Sequence, residues 1–117
     1  MQINLPCPPS VNAMYYNRRR GGGGRGRIKS AKYRDWLRDA DAYLMVQKRR
    51  LVPITGPYEV RIIVPRGRPD LDNLNKAVID FLVSRELTPD DKHCCKITTE
   101  RDPELNYCRV IVIERAA

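Results

Sequence analysis

The sequence predicts an α+β fold: a single two-layer domain, residues 1–117, in which a small mixed β-sheet packs against two main helices. Three observations lead there. The chain has 117 residues, enough for one modest core. Residues 58–65, YEVRIIVP, alternate with period two, whereas residues 31–48 and 72–83 carry apolar side chains at helical spacing. Strand-like and helix-like segments are interleaved, which favours helices layered on a sheet.

Taken in order, Gln2 to Leu5 reads as a short strand, stopped by PCPPSVN, where prolines remove backbone donors and force an extended path or a turn. RRRGGGGRGR, residues 18–27, has four consecutive glycines with high backbone entropy, so a mobile basic loop is expected over about residues 17–29. Ser30 reads as an N-cap for a helix whose apolar positions are Tyr33, Trp36, Leu37, Ala40, Tyr43 and Leu44. Its tail, Lys48 to Arg50, complements the negative end of the helix dipole. After a break at Pro53–Pro57, Tyr58, Val60, Ile62 and Val64 line one face of a strand. A second helix spans about Asp72 to Val83, with Asp72 as its N-cap and Leu74, Ala77, Val78, Phe81 and Leu82 as its apolar face. TPDD at 88–91 is a turn and Cys94–Thr99 a strand. DPELN at 102–106 is another turn and Tyr107–Glu114 the last strand, the two strands forming a β-hairpin.

Charge narrows the function. The chain carries 22 Lys and Arg against 14 Asp and Glu, a net +8. Arg18, Arg19, Arg20, Arg25, Arg27, Lys29, Lys32 and Arg34 lie in one stretch without an acid, and the remainder of the chain is neutral. A local basic surface of this kind suits a polyanion, most often nucleic acid; the competing reading is a solubilising charge run. No apolar run reaches the ~18–20 residues a membrane helix needs, and MQINLPCPPS lacks the pattern of a signal peptide, so a soluble, cytoplasmic protein is expected. Cys7, Cys94, Cys95 and Cys108 lack the C-x₂-C spacing of a zinc site and are read as small apolar residues.

Against this basic background, PRGRPDLDNLNKAVIDFL, residues 65–82, places Asp70, Asp72 and Asp80 within eleven residues, with Arg66 and Arg68 before them and Lys76 among them. Asp72, Lys76 and Asp80 fall at i, i+4 and i+8, along one helical face. An acid at a helix start and an Asp–Lys pair one turn apart are ordinary helix chemistry. They leave Asp70 and the Asp90–Asp91 pair without a role. Clustered carboxylates can hold Mg²⁺, which takes oxygen ligands and keeps several waters, and which can activate water and neutralise charge at a phosphodiester. A basic surface with such a cluster meets the needs of a metal-dependent nuclease, with a lysine available to stabilise transition-state charge.

Several patches, in the same order, resemble the RusA-type Holliday junction resolvases of bacteria and their phages. LPCPPSVNAMYYNR, residues 5–18, is similar to the family's P-P-S-x-N start, and AKYRDWL, residues 31–37, to its Tyr-Arg helical segment. RPDLDNLNKAVIDFL, residues 68–82, resembles the signature D-x-D-N-x-x-K…D almost letter for letter, and PDDKHC, residues 89–94, falls where the family carries an acidic pair before a strand. The resemblance implies that Asp70, Asp72 and Asp91 bind metal and act in catalysis, and that Lys76 is the essential lysine. Asn73 and Asp80 would support the site, and Asp90 is the rival of Asp91. It also implies Mg²⁺, with Mn²⁺ as a substitute, and a homodimer that nicks two opposing strands of a four-way DNA junction in recombination and repair. The basic residues Arg18, Arg19, Arg20, Arg25, Arg27, Lys29, Lys32, Arg66 and Arg68 are the expected DNA contacts. The long glycine–arginine loop and the Cys94–Cys95 pair depart from the family pattern. The alternatives are a non-catalytic DNA-binding or regulatory module and a metal nuclease acting on RNA.

Overall fold

A computed structural model describes residues 1–17, 27–67 and 71–115, without the side chains of Asn17 and Asp72. The frame is a four-stranded mixed sheet in the order β1–β6–β4–β5, where β1 is Gln2–Leu5, β4 Tyr58–Val64, β5 Cys94–Arg101 and β6 Cys108–Glu114. Helices α1, Ala31–Gln47, and α2, Asn75–Ser84, contribute to one core with the sheet. A separate antiparallel pair, β2 (Tyr15–Asn17) and β3 (Arg27–Lys29), precedes α1. The expected α+β domain with a mixed sheet and two main helices is therefore present.

β4 forms as its alternation predicts. Tyr58, Val60, Ile62 and Val64 are fully buried, while Glu59, Arg61 and Ile63 between them are not. Each fully buried side chain of this size contributes up to roughly 1.5–3 kcal/mol. The same face collects Ile3 and Leu5 from β1 and Cys108, Val110 and Val112 from β6. Leu74, Ala77, Val78, Phe81 and Leu82, the predicted apolar face of the second helix, are all buried, and Ile79 joins them. Trp36 of α1 meets Phe81 of α2 edge-on, with ring centroids 5.7 Å apart.

Three local expectations are corrected. First, β5 and β6 do not form a hairpin. β4 lies between them, parallel to β5 and antiparallel to β6. The DPELN segment passes across the end of β4, where the Asp102 N–H donates to the Val64 carbonyl at 2.9 Å. The composition of the strands explains the order. β4 is apolar enough to be covered on both edges, whereas β5, with Lys96, Thr98, Thr99, Glu100 and Arg101, suits an exposed edge. Second, Asp72 is not an N-cap outside a helix that starts at Asn73. Asp72–Leu74 is itself a 3-10 turn, and the α-helix proper begins at Asn75. Third, the ends of the segment expected to be loop, Asn17 and Arg27–Lys29, are strand residues; residues 18–26, expected to be mobile, lie outside the described residues. The single-residue shift at the start of β6 and the extension of β5 to Arg101 are end effects of the usual size.

α1 starts where Ser30 predicts, and the Ser30 hydroxyl accepts from the Tyr33 N–H at 3.1 Å. The same hydroxyl donates to the Ala13 carbonyl at 2.6 Å, tying the helix start to the segment before β2. Tyr33, Trp36 and Ala40 are buried as expected, but Tyr43 remains partly exposed. The far end of α1 closes the free edge of β1. Gln47, 5 % exposed, accepts from the Asn4 N–H at 2.7 Å and donates to the Asn4 carbonyl at 2.7 Å, so its amide replaces a neighbouring strand. A further bond to the Tyr43 carbonyl, 2.8 Å, holds the amide in place. Gln47→Ala is expected to leave both Asn4 backbone groups unpaired and to lower unfolding free energy by about 1–3 kcal/mol, measured by urea titration.

Candidate active site on the second helix

The connection from β4 through α2 to β5 is a βαβ unit, because β4 and β5 are parallel neighbours. It fixes the positions of the acidic residues. β4 ends at Val64 and the chain turns at Arg66–Gly67, where Gly67 has a φ of 102°, a region that favours glycine. The 3-10 turn that contains Asp72 follows and leads directly into α2. At the start of α2, Asn75 Oδ1 is hydrogen bonded with Thr99 Oγ1 of β5. This contact fixes the helix start against the edge strand.

Lys76 and Asp80 lie one helical turn apart, and the Lys76 Nζ is 3.1 Å from Asp80 Oδ2. Lys76 is exposed and Asp80 half-buried. α2 stops after Ser84 by a reversal in which Glu86 adopts a left-handed φ of 60° and the Leu87 N–H donates to the Leu82 carbonyl at 2.9 Å. The chain then returns to a second 3-10 turn, Asp91–His93, which packs against α2 immediately before β5. Buried Tyr58 holds this return: its hydroxyl donates to the Pro89 carbonyl at 3.1 Å. By periodicity alone Tyr58 is only a core residue. Its second role depends on a partner 31 positions away, beyond the reach of any local pattern.

The Asp90–Asp91 pair is electrostatically divided. A hydrogen bond with Asp90 raises the Asp91 carboxyl above its ordinary range, the Asp90 charge adds to this, Asp80 does so as well, and Lys76 opposes it. Asp90 is held below its ordinary range, first by its hydrogen bond with Asp91 and then by backbone amides and the neighbouring Lys92. Thus Asp91 feels the charged face of α2, while Asp90 responds to its neighbours in sequence. The structure pairs Lys76 with Asp80 on α2 and packs the turn that carries Asp91 against the same helix. Among the described residues no set of three His, Cys, Asp or Glu is arranged as a metal cage. Asp70, Arg68, Arg18, Arg19, Arg20 and Arg25 lie outside the described residues, as does the Asp72 side chain. Asn73 is half-buried in the 3-10 turn.

Of the expected DNA contacts, Arg27, Lys29, Lys32 and Arg66 are exposed. Arg27 lies 5.9 Å from the centroid of the Tyr15 ring and Lys29 5.8 Å from that of Tyr33. The β2–β3 pair is thereby connected to α1 through Lys29 and Tyr33. Tyr33 is buried, and its hydroxyl is pushed up by burial, by Tyr15 and by the charge of Asp80. The cysteines divide: Cys108 is buried, with its thiol pushed up to about 12 by burial, and Cys94 packs against the core, whereas Cys95 is exposed.

Helix α2 is also clamped from behind. Arg85, just past its end, makes a two-pronged contact with Asp41 of α1, at 2.7 and 2.8 Å. The guanidinium lies 4.9 Å from the centroid of the Phe81 ring. This contact sets the relative placement of the two helices, and the sequence offers no local sign of it.

A family model described as Endodeoxyribonuclease RusA matches residues 6–113. No curated protein matches the chain.

The Asp41–Arg85 clamp has a defined pH signature. The hydrogen bond from Arg85 lowers the Asp41 carboxyl below its ordinary range, so its contribution to stability is complete above the unfolded value of ~4 and is lost as pH falls through the folded one. Both side chains retain solvent contact, which limits the effect to about 1 kcal/mol. Asp41→Asn is expected to lower the melting temperature at pH 7 and to make the wild type and the variant converge on acidification. Melting curves from pH 7 to pH 2 measure this directly; a constant difference across the range would contradict the clamp.

Proposed function

The chain belongs to the RusA endodeoxyribonuclease family, whose members resolve Holliday junctions and bind branched DNA, and on that basis we propose that it cuts four-way junctions by paired, symmetric nicks with a divalent cation. The observation that carries the proposal is the packing of the turn containing Asp91 against α2, the helix that bears the Lys76–Asp80 pair and is entered through the turn containing Asp72. A helix-capping role for the acids would not require a second acidic segment to return to this helix.

The donor chemistry suits a hard cation. Carboxylate oxygens are the ligands Mg²⁺ prefers, with Mn²⁺ able to replace it. Asp70, Asp72 and Asp91 would hold the ion. When bound, it supplies Lewis acidity toward the phosphate and toward the attacking water. Lys76 places its ammonium where the scissile phosphate gains charge, and Asp80 positions that ammonium through their 3.1 Å contact. Asn73, in the turn before α2, and Asp90, beside Asp91, support the two ends of the site. Water adds to phosphorus as the bond to the 3′ oxygen breaks, which leaves a 5′-phosphate and a 3′-hydroxyl that ligase can seal. The basic residues from Arg18 to Lys32, with Arg66 and Arg68, neutralise the junction's phosphates. One site cuts one strand, so a two-fold homodimer presents two sites to a two-fold junction. No helix among the described residues is long and apolar enough to cross a membrane.

Cleavage of a synthetic four-way junction in Mg²⁺ tests the proposal. Asp72→Asn and Asp91→Asn are expected to abolish cutting while junction binding persists. Lys76→Ala is expected to slow cutting by about 10²–10³-fold, and Asp90→Asn to cut faster than Asp91→Asn. Equal cutting by wild type, Asp72→Asn and Asp91→Asn would reduce the chain to a DNA-binding module. A second prediction concerns the basic segment. Replacing Arg18, Arg19 and Arg20 by Ala should weaken junction binding and flatten the plot of log affinity against log salt by roughly 0.9 for each duplex phosphate that is no longer neutralised. An unchanged slope would place the phosphate-binding residues elsewhere.

A further inference from the structure

Beside the second half of α1, Asn4, Tyr43, Val46, Arg50 and Tyr107 line an open groove of about 470 Å³ whose wall is mostly apolar. Val46 is 87 % and Tyr43 39 % exposed. Arg50 also lines a second concavity with Val52, which is 76 % exposed. A single apolar side chain at a surface is ordinary, whereas a contiguous apolar surface marks a contact. The Asn4 Oδ1, moreover, is buried without a hydrogen-bond partner among the described residues. The order of charges along the groove says what could cover it. Asp39, Tyr43, Val46 and Arg50 stand at i, i+4, i+7 and i+11, which is one stripe of a helix. Arg50 belongs to the 3-10 turn that ends α1, yet it lines the same groove as Tyr43 and Val46. Asp39 is exposed and holds only a 3.6 Å contact with Arg38. The stripe runs acid, aromatic, aliphatic, base. It therefore complements its own reverse: turned about a two-fold axis level with residues 44 and 45, Asp39 meets Arg50 and Tyr43 meets Val46.

We propose that this stripe is the surface through which two copies of the chain associate, their α1 helices antiparallel across a two-fold axis. The inference rests on the junction-cutting reading, which calls for a homodimer, and deepens it by naming the surface. A two-fold interface uses the same patch on both copies, so the patch must complement itself, and this one does in charge and in apolar character. DNA fits it less well, because a mostly apolar wall with Asp39 at one end offers phosphates little. The placement also leaves the acidic residues uncovered. Asp41, two residues from both Asp39 and Tyr43, reaches Arg85 at the end of α2. Two residues are about 200° of helix, so the stripe lies on the flank of α1 opposite α2. Across the sheet the separation is the same. Gln47 closes the edge of β1, whereas the turn containing Asp91 enters β5, the strand at the other edge. Two copies joined along α1 would carry their two acidic helices outward.

The test is sedimentation of the full chain as wild type, as Asp39→Arg, as Arg50→Asp and as an equimolar mixture of these two variants. The wild type is expected to be a dimer. Each reversal sets like charges together at both ends of the seam and should raise the dissociation constant by about 10- to 100-fold. The mixture should associate as the wild type does, because each variant then offers the charge that the other lacks. Recovery on mixing also shows that both variants are folded. Val46→Asp, at a position 87 % exposed in the single chain, gives a second reading and should weaken association without disturbing the fold. On a supercoiled plasmid bearing a cruciform, with Mg²⁺, paired nicks yield linear DNA and uncoupled nicks yield open circles. Each reversal should shift the product toward open circles, and the mixture should restore linear DNA. A monomeric wild type, or a dimer that neither the reversals nor Val46→Asp weaken, would overturn the interface; the second result would leave the homodimer standing on some other surface. Weaker junction binding by Arg50→Asp with association unchanged would assign the groove to DNA and overturn it as well. Conversely, the expected sedimentation with no cutting of the cruciform would overturn the junction-cutting reading and leave the interface standing.

Discussion

The fold depends on one constraint: β4 must be covered on its helix-facing side and along both edges. Four of its seven side chains are fully buried, and an unpaired edge would leave buried backbone N–H and C=O groups without partners. β6 covers one edge in antiparallel register and β5 the other in parallel register. A parallel neighbour cannot follow through a tight turn; it requires a crossover, and α2 supplies it. The position of the acidic helix is therefore a consequence of how β4 is paired. Asp80 and Lys76 ride on an element that the core already requires, and the turn containing Asp72 leads into it.

The same helix divides its two faces cleanly. Ala77, Val78, Phe81 and Leu82 enter the core, while Lys76 and Asp80 face outward. Because helical period couples these sets, the charged face cannot rotate without withdrawing Phe81 from Trp36. The Asp41–Arg85 clamp and the Tyr58–Pro89 bond restrain the far end. A site that must position charge to within a fraction of an ångström gains from such support, since loops alone would leave it loose. Asp91 is likewise held through the backbone beside it, which Tyr58 anchors at Pro89, and its carboxyl is hydrogen bonded with that of Asp90.

How much of this was legible in the sequence follows from the range of each interaction. The Ser30 cap, the alternation of β4 and the apolar face of α2 are local patterns, and each is found where the residues indicate. The acidic signature was also local, at least for Lys76 and Asp80. The roles of Gln47, Tyr58 and Arg85 were not legible, because their partners lie 43, 31 and 44 positions away. The hairpin of β5 and β6 failed for a related reason. A short turn between two strand-like segments predicts pairing by proximity, but the apolar β4 competes for β6 and wins. Asp72 failed as a cap for a different reason: the first turn tightened to 3-10, which moved the start of the α-helix from the expected Asn73 to Asn75.

This arrangement answers a difficulty built into the chain's composition. A net charge of +8 attracts phosphates, yet carboxylates near those phosphates repel them. Mixing the two along one segment would pair them off as surface ion pairs and weaken both functions. Here they are kept apart in sequence: the unbroken basic run occupies the segment before and into α1, and the acids lie just before α2, on it at Asp80, and at Asp90–Asp91 before β5. Lys76, paired with Asp80, and Lys92, next to Asp91, are placed among the acids. The aromatic contacts of Tyr15, Tyr33, Trp36 and Phe81 connect the two territories through the core. On the proposed function, DNA drawn by the basic run would be held near the carboxylates without the two sets of charges cancelling each other, and a bound cation would relieve the repulsion between those carboxylates and the phosphates.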